Sequence, residues 1–166
     1  MVTRRTVLAG MGLGLAGVGS AFAYEQLAPE RATRVENGGG GSGPSLSTAA
    51  ETLASGQFSG KAGHRCSGRV DLVHDEGAHF LRFVNYEQTQ GPDVFVYVCP
   101  DADPDTAAEI AAGTKVLIDG GADGGESTKT GTFVQRLPDG VDVASIRGVG
   151  IWCENFRTPF GAATLE

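Results

Sequence analysis

From Gly56 onward the apolar residues fall in short runs separated by glycine, proline and acidic residues. Across Arg69–Val73 polar and apolar positions alternate, the period of a strand with one buried face. His79–Val84 follows, and Asp75-Glu76-Gly77 between the two is a hairpin turn signal. Val94–Val98 is apolar at every position, which predicts a central strand covered on both sides and bounded by Gly91-Pro92 and Pro100. Lys115–Ile118, Thr130–Gln135, Val141–Ile146 and Val149–Cys153 predict further strands. In the last, the pleat puts Val149, Ile151 and Cys153 on one face and Trp152 on the other. Only Pro104–Ala112 reads as a helix, with Asp103 as N-cap, proline in the first turn and Gly113 just past the end. Ala49–Ser55 offers one more helical turn ahead of the strands. Short strands with turn signals between them predict an all-β fold, an antiparallel β-sandwich or jelly-roll-like single domain with at most one or two short helices.

The chain divides into three parts. Residues 1–23 read as an export signal: Arg4-Arg5 is a twin-arginine start, Val7–Ala23 is uncharged and rich in small residues, and Ala21-Phe22-Ala23 fits a cleavage site. The apolar run is short for a membrane span, so removal is expected ahead of retention as an anchor. Residues 24–55 form a linker containing the flexible stretch Gly38–Gly43, and 56–166 is the β domain. The expected location is therefore extracytoplasmic, secreted or tethered by an uncleaved signal.

Charge sharpens this picture. The chain carries 13 Lys and Arg against 20 Asp and Glu, a net charge of −7. Arg4 and Arg5 belong to the signal and no acid does, so the remainder is more acidic still. Lysine occurs only at 61, 115 and 129. Such a surface fits a halophile's exported protein or an ordinary acidic extracellular domain. It argues against nucleic acid or an anionic membrane surface as partner.

Candidate chemistry is sparse. Cys153 ends a strand beside the only tryptophan, and its thiol is either a core atom or a redox atom that cycles through sulfenic acid or a mixed disulfide, or ligates a cofactor. Trp152 reads as a core plug, a stacking platform or an electron stepping stone. His74 and His79 flank the hairpin turn and could meet across it, but Asp75 and Glu76 are only nominal third ligands, so no metal set is assigned. The glycine-rich loop Gly120–Gly125 lacks the lysine and hydroxyl of a phosphate cradle. No Gly-x-Ser-x-Gly or HExxH pattern points to hydrolysis, and a stand-alone enzyme is not indicated. The sequence names no cofactor, electron donor or acceptor.

Several short motifs occur in order between Gly56 and Leu165: Gly56-x-Phe58, His64 with Ser67-Gly68, Phe83-x-Asn85-Tyr86, and Gly91-Pro92-Asp93-Val94 running to Tyr97. Leu137-Pro138, Val141–Val143, Ile151-Trp152-Cys153 and Phe160-Gly161-x-Ala163-x-Leu165 follow. In this order they resemble the DM-thirteen electron-transfer domain family, across about two thirds of the chain. The resemblance implies a small all-β electron-transfer module centred on Cys153, with His64 as a candidate base or co-ligand. Cys66 and Cys99 stand outside the family pattern. The resemblance thus implies that they pair in a disulfide, the alternative being two small buried residues, and that Cys153 is unpaired. The polar Glu154-Asn155 after the strand puts the Cys153 thiol near its rim, partly reachable. The expected function is an extracytoplasmic redox accessory that meets an unknown redox partner or membrane protein. The alternative is a non-catalytic cell-surface interaction module that binds protein or glycan.

Overall fold

The computed structural model describes residues 30–35 and 44–166. The signal segment and the Gly38–Gly43 stretch lie outside them. Within the described residues ten strands form two five-stranded sheets that face each other across an apolar core. In the first sheet the order is β1 (Thr33–Val35), β8 (Lys129–Arg136), β5 (Ala78–Gln88), β4 (Cys66–Asp75) and β2 (Glu51–Gln57). In the second it is β3 (Ser59–Gly60), β10 (Thr158–Thr164), β9 (Gly148–Cys153), β6 (Val94–Cys99) and β7 (Thr114–Val116). All pairings are antiparallel except β1 on β8. The expected β-sandwich is the observed fold.

Alternation builds the two layers. Along β6 Val94, Val96 and Val98 enter the inter-sheet core, while Phe95, Tyr97 and Cys99 face outward. The outward residues form a satellite cluster with Trp152 and with Ile110 of helix α1 (Ala107–Ala111), the one α-helix among the described residues. This is why β6 is apolar at every position: each face meets its own cover. The helix begins later than its sequence pattern predicts. Thr106, not Asp103, is the N-cap, and Glu109 completes a capping box by accepting from the Thr106 amide.

The Asp75-Glu76-Gly77 signal makes the β4–β5 hairpin, with Glu76 and Gly77 both at positive φ. Further along, β5 carries an extra residue at Asn85 (φ 49°), where the register shifts against both neighbours. Phe83 and Tyr86 are three apart, a spacing that points to opposite faces in a regular strand. The bulge turns both into the core. Gly68 lies opposite it at φ 100°, where a Cβ would come within 2.5 Å of the Asn85 carbonyl oxygen. The Ser-Gly and Asn-Tyr motifs are therefore two halves of one bulged pairing.

Two expected elements differ. Ala49–Ser55 is not helical: Glu51 onward is strand β2, paired with β4, so the sheet reaches into the segment read as linker. Thr33–Val35 lies in that segment too and adds to the edge of β8. Val141–Ile146 is not a strand but holds a 3₁₀ turn at Val143–Ser145, with Asp142 and Ser145 closing it through the Asp142 carbonyl. The C-terminal Phe-Gly-Ala-Ala run instead supplies β10, the strand that covers β9.

Candidate functional site

Cys153 is the last residue of β9, between β6 and β10, opposite Val94 on one side and Thr158 on the other. Its side chain follows Val149 and Ile151 into the core and is fully buried, at 0 % exposure. The polar turn Glu154–Arg157 does not leave the thiol at an open rim, as the sequence led one to expect. The chain doubles back into β10, and Gly91-Pro92-Asp93 closes the end of the strand. The Glu154 amide donates to the Asp93 carbonyl at 2.9 Å, and the Cys153 thiol donates to the Pro92 carbonyl at 3.1 Å. Glu154 is itself held by Lys115 and the Tyr97 hydroxyl.

Electrostatically the sulfur is pulled both ways. Burial raises its pKa above that of an ordinary thiol, and the carboxylates of Asp93 and Glu126 raise it further. The backbone amides of Phe156 and Asn155 point at the sulfur and oppose that rise, as they would stabilise a thiolate. Burial pushes the other two thiols up to about 12, opposed at Cys66 by the Ser67 amide.

Directly outside this thiol lies an open, mostly apolar groove of about 470 Å³, lined by His64, Gln90, Gly91, Pro92, Phe156, Thr158 and Phe160. Two of its residues, Pro92 and Phe156, have backbone groups that touch the Cys153 sulfur, as does Asn155 beside them. Phe156 is 55 % exposed, an unusual state for a large apolar ring. The site is thus a groove with a thiol one layer beneath its wall.

A family model for the electron transfer DM13 domain matches residues 57–165. The chain belongs to the DM13 electron transfer family. This membership supports a general role in redox or electron transfer. Neither a curated protein nor a solved structure matches the chain.

Within this DM13 domain the sequence-derived site residues part company. His64 reaches the groove, but its ring stacks on Phe160 at 3.7 Å between centroids, so it meets an aromatic face and not the sulfur. Trp152 points to the opposite side of the sheet from Cys153 and sits in the satellite cluster, nearly buried. The Cys66–Cys99 disulfide is not formed: all three cysteines are free thiols. Cys66 is packed in the inter-sheet core against Gly161, while Cys99 lies on the outer face with Phe95 and Tyr97, so the second sheet stands between them. His74 and His79 do meet across the hairpin, with ring centroids 5.0 Å apart. Asp75 turns away to bond Ser47, and among the described residues no group of three His, Cys, Asp or Glu is arranged to hold a metal.

Three kinds of participant escaped the sequence reading: backbone groups, an aromatic ring and a buried acid. The Pro92 carbonyl and the Asn155 and Phe156 amides are backbone groups that carry no residue signature. Phe156 is an aromatic residue inside a polar turn, a signal that was available. The third is Glu126, which sits in a loop without periodicity yet is almost fully buried.

Proposed function

We propose that the protein transfers electrons through Cys153, outside the cytoplasm, with a partner seated in the groove between His64 and Phe156. The observation that supports this most is the placement of the sulfur: backbone amides of Asn155 and Phe156 face it, and two residues that line the groove, Pro92 and Phe156, touch it. The step that fits is thiol–disulfide exchange with a partner disulfide. A bond forms between Cys153 and one partner sulfur as the partner's own S–S bond breaks. The Cys153 proton leaves on the departing thiol, so Cys153 is oxidised and the partner reduced. In this reading Phe156, whose amide touches the sulfur and whose residue lines the groove, swings aside as the partner enters.

The reaction of the folded protein with 4,4′-dithiodipyridine tests this. Cys153 should react slowly in the parent, and Phe156→Ala should speed that reaction by at least ~10-fold, the gain expected of removing a steric cover from a thiol whose rate depends on access. Peptide mapping identifies the modified cysteine. If Cys153 is modified only on unfolding, in both proteins, the exchange role is lost.

A second reading has its own support: the full burial of Cys153 beside an exposed Phe156 and an apolar groove fits a non-catalytic module that binds a partner's apolar segment. Unreactive Cys153 in the test above would favour it.

Export rests on Arg4, Arg5 and the apolar run to Ala23. Replacing both arginines by lysine should leave the protein inside the cell, as read by fractionation. Unchanged export would remove the twin-arginine route.

A further inference from the structure

Glu126 is a buried ionisable group near the site that the reaction above does not use. It is 2 % exposed, and its Oε2 is a buried oxygen without a hydrogen-bond partner. A side chain of this kind is rarely kept in a core without a task. The glycine-rich loop that precedes it explains its place. Its amide bonds the Ala122 carbonyl at 2.8 Å, and Gly121 passes so close to the Glu126 carbonyl that a Cβ there would come within 2.1 Å of its oxygen. Ser127 then donates to the Val94 carbonyl at 2.7 Å, next to Cys153 in the sheet. The loop thereby delivers a carboxyl to the inner side of the Pro92-Asp93 turn.

The Asp93 backbone amide is turned toward the carboxyl and favours its charged form. The Cys153 thiol donates to the Pro92 carbonyl. These two groups are the N–H and C=O of one peptide unit. One peptide unit therefore stands between thiol and carboxyl, its C=O bonded by the S–H and its N–H turned toward the carboxylate.

We propose that Glu126 is a positioning residue that governs how readily Cys153 gives up its proton, acting through the Pro92–Asp93 peptide group. The inference rests on the reading of Cys153 as the electron-carrying atom. When Glu126 is ionised it draws on the Asp93 N–H, which makes the Pro92 oxygen a better acceptor and tightens its hold on the S–H. Its charge also opposes a thiolate directly. Protonation of Glu126 relaxes both effects at once. The charged groups that act on the carboxyl are Asp93 on the turn, Asp123 on its own loop and Glu30 on the N-terminal segment, all acidic; Cys153 faces it from β9. Burial first, then these acids, push Glu126 up to about 7. The change of state falls near neutrality, where the cell's surroundings can drive it.

NMR titration of the full chain labelled with ¹³C and ¹⁵N reads this directly. As pH rises from 5 to 9, the Glu126 carboxyl carbon, the Asp93 amide and the Cys153 Cβ should move with one shared midpoint. In Glu126→Gln the shared step should vanish from Asp93 and Cys153, and the thiol should titrate about one unit lower, roughly tenfold more thiolate at a given pH. Flat Asp93 and Cys153 signals across the Glu126 step would overturn the proposal. The parent protein alone decides this if the variant does not fold. The outcome is separable from the exchange reading: coupled titration with an unreactive Cys153 leaves the relay standing, and a reactive Cys153 with independent titrations removes it.

Discussion

Cys153→Ser should abolish electron transfer and leave the domain folded, whereas Ile151→Ala two residues earlier should damage folding and leave the thiol's chemistry to the folded fraction. Both side chains are fully buried on the same face of β9. They differ in what surrounds them. Ile151 fills the inter-sheet core, and truncating it leaves a cavity that costs ~2–5 kcal/mol. Serine is nearly the shape of cysteine, and its hydroxyl can donate to the Pro92 carbonyl as the thiol does. The buried polar group is then satisfied, and the cost stays within the ~0.5–3 kcal/mol of an ordinary substitution. Urea unfolding of both variants, beside the exchange reaction of each, gives the comparison. Equal folding damage would make Cys153 a packing residue and withdraw the support for its redox role.

The same pair shows what the sequence carried and what it did not. The two faces of β9 were legible because alternation needs only the strand period, and Val149, Ile151 and Cys153 do share a face. Burial of Cys153 was not legible, since polar residues after a strand mark its end but not what folds over it. Here a distant proline turn and the return strand β10 cover the sulfur. The Cys66–Cys99 disulfide failed for a related reason. Cys99 shares the parity of Phe95 and Tyr97, but β6 is apolar on both faces, so parity alone did not say which face looks toward Cys66. Val141–Ile146 has a strand-like alternation, and the 3₁₀ turn there is set by local bonds to the Asp142 carbonyl. Glu126 lay beyond sequence reasoning altogether, as a lone acid among glycines and hydroxyls reads as surface.

Phe83→Ala should be among the most destabilising single substitutions in the domain, at ~3–5 kcal/mol for a buried phenylalanine. Phe83 is fully buried, stacked on Phe133 with centroids 4.6 Å apart, and in contact with Tyr86 at 5.0 Å and Phe58 at 6.1 Å. Its loss therefore opens a cavity and removes several aromatic contacts together. The effect should also spread along β5. The bulge at Asn85 is worth its disruption of the ladder because it brings Phe83 and Tyr86 to the same side, and the pair then closes over Phe58 and Phe133. Without Phe83 the bulge keeps only Tyr86, whose hydroxyl is tied to Gln88 and Ser127 beside Glu126. Leu117→Ala, on a residue 51 % exposed, is the control and should stay within about ±0.5 kcal/mol. Chemical denaturation of the two variants measures the difference. Similar midpoints would mean that the aromatic column does not organise the first sheet and that the Phe-x-Asn-Tyr motif has a role other than packing.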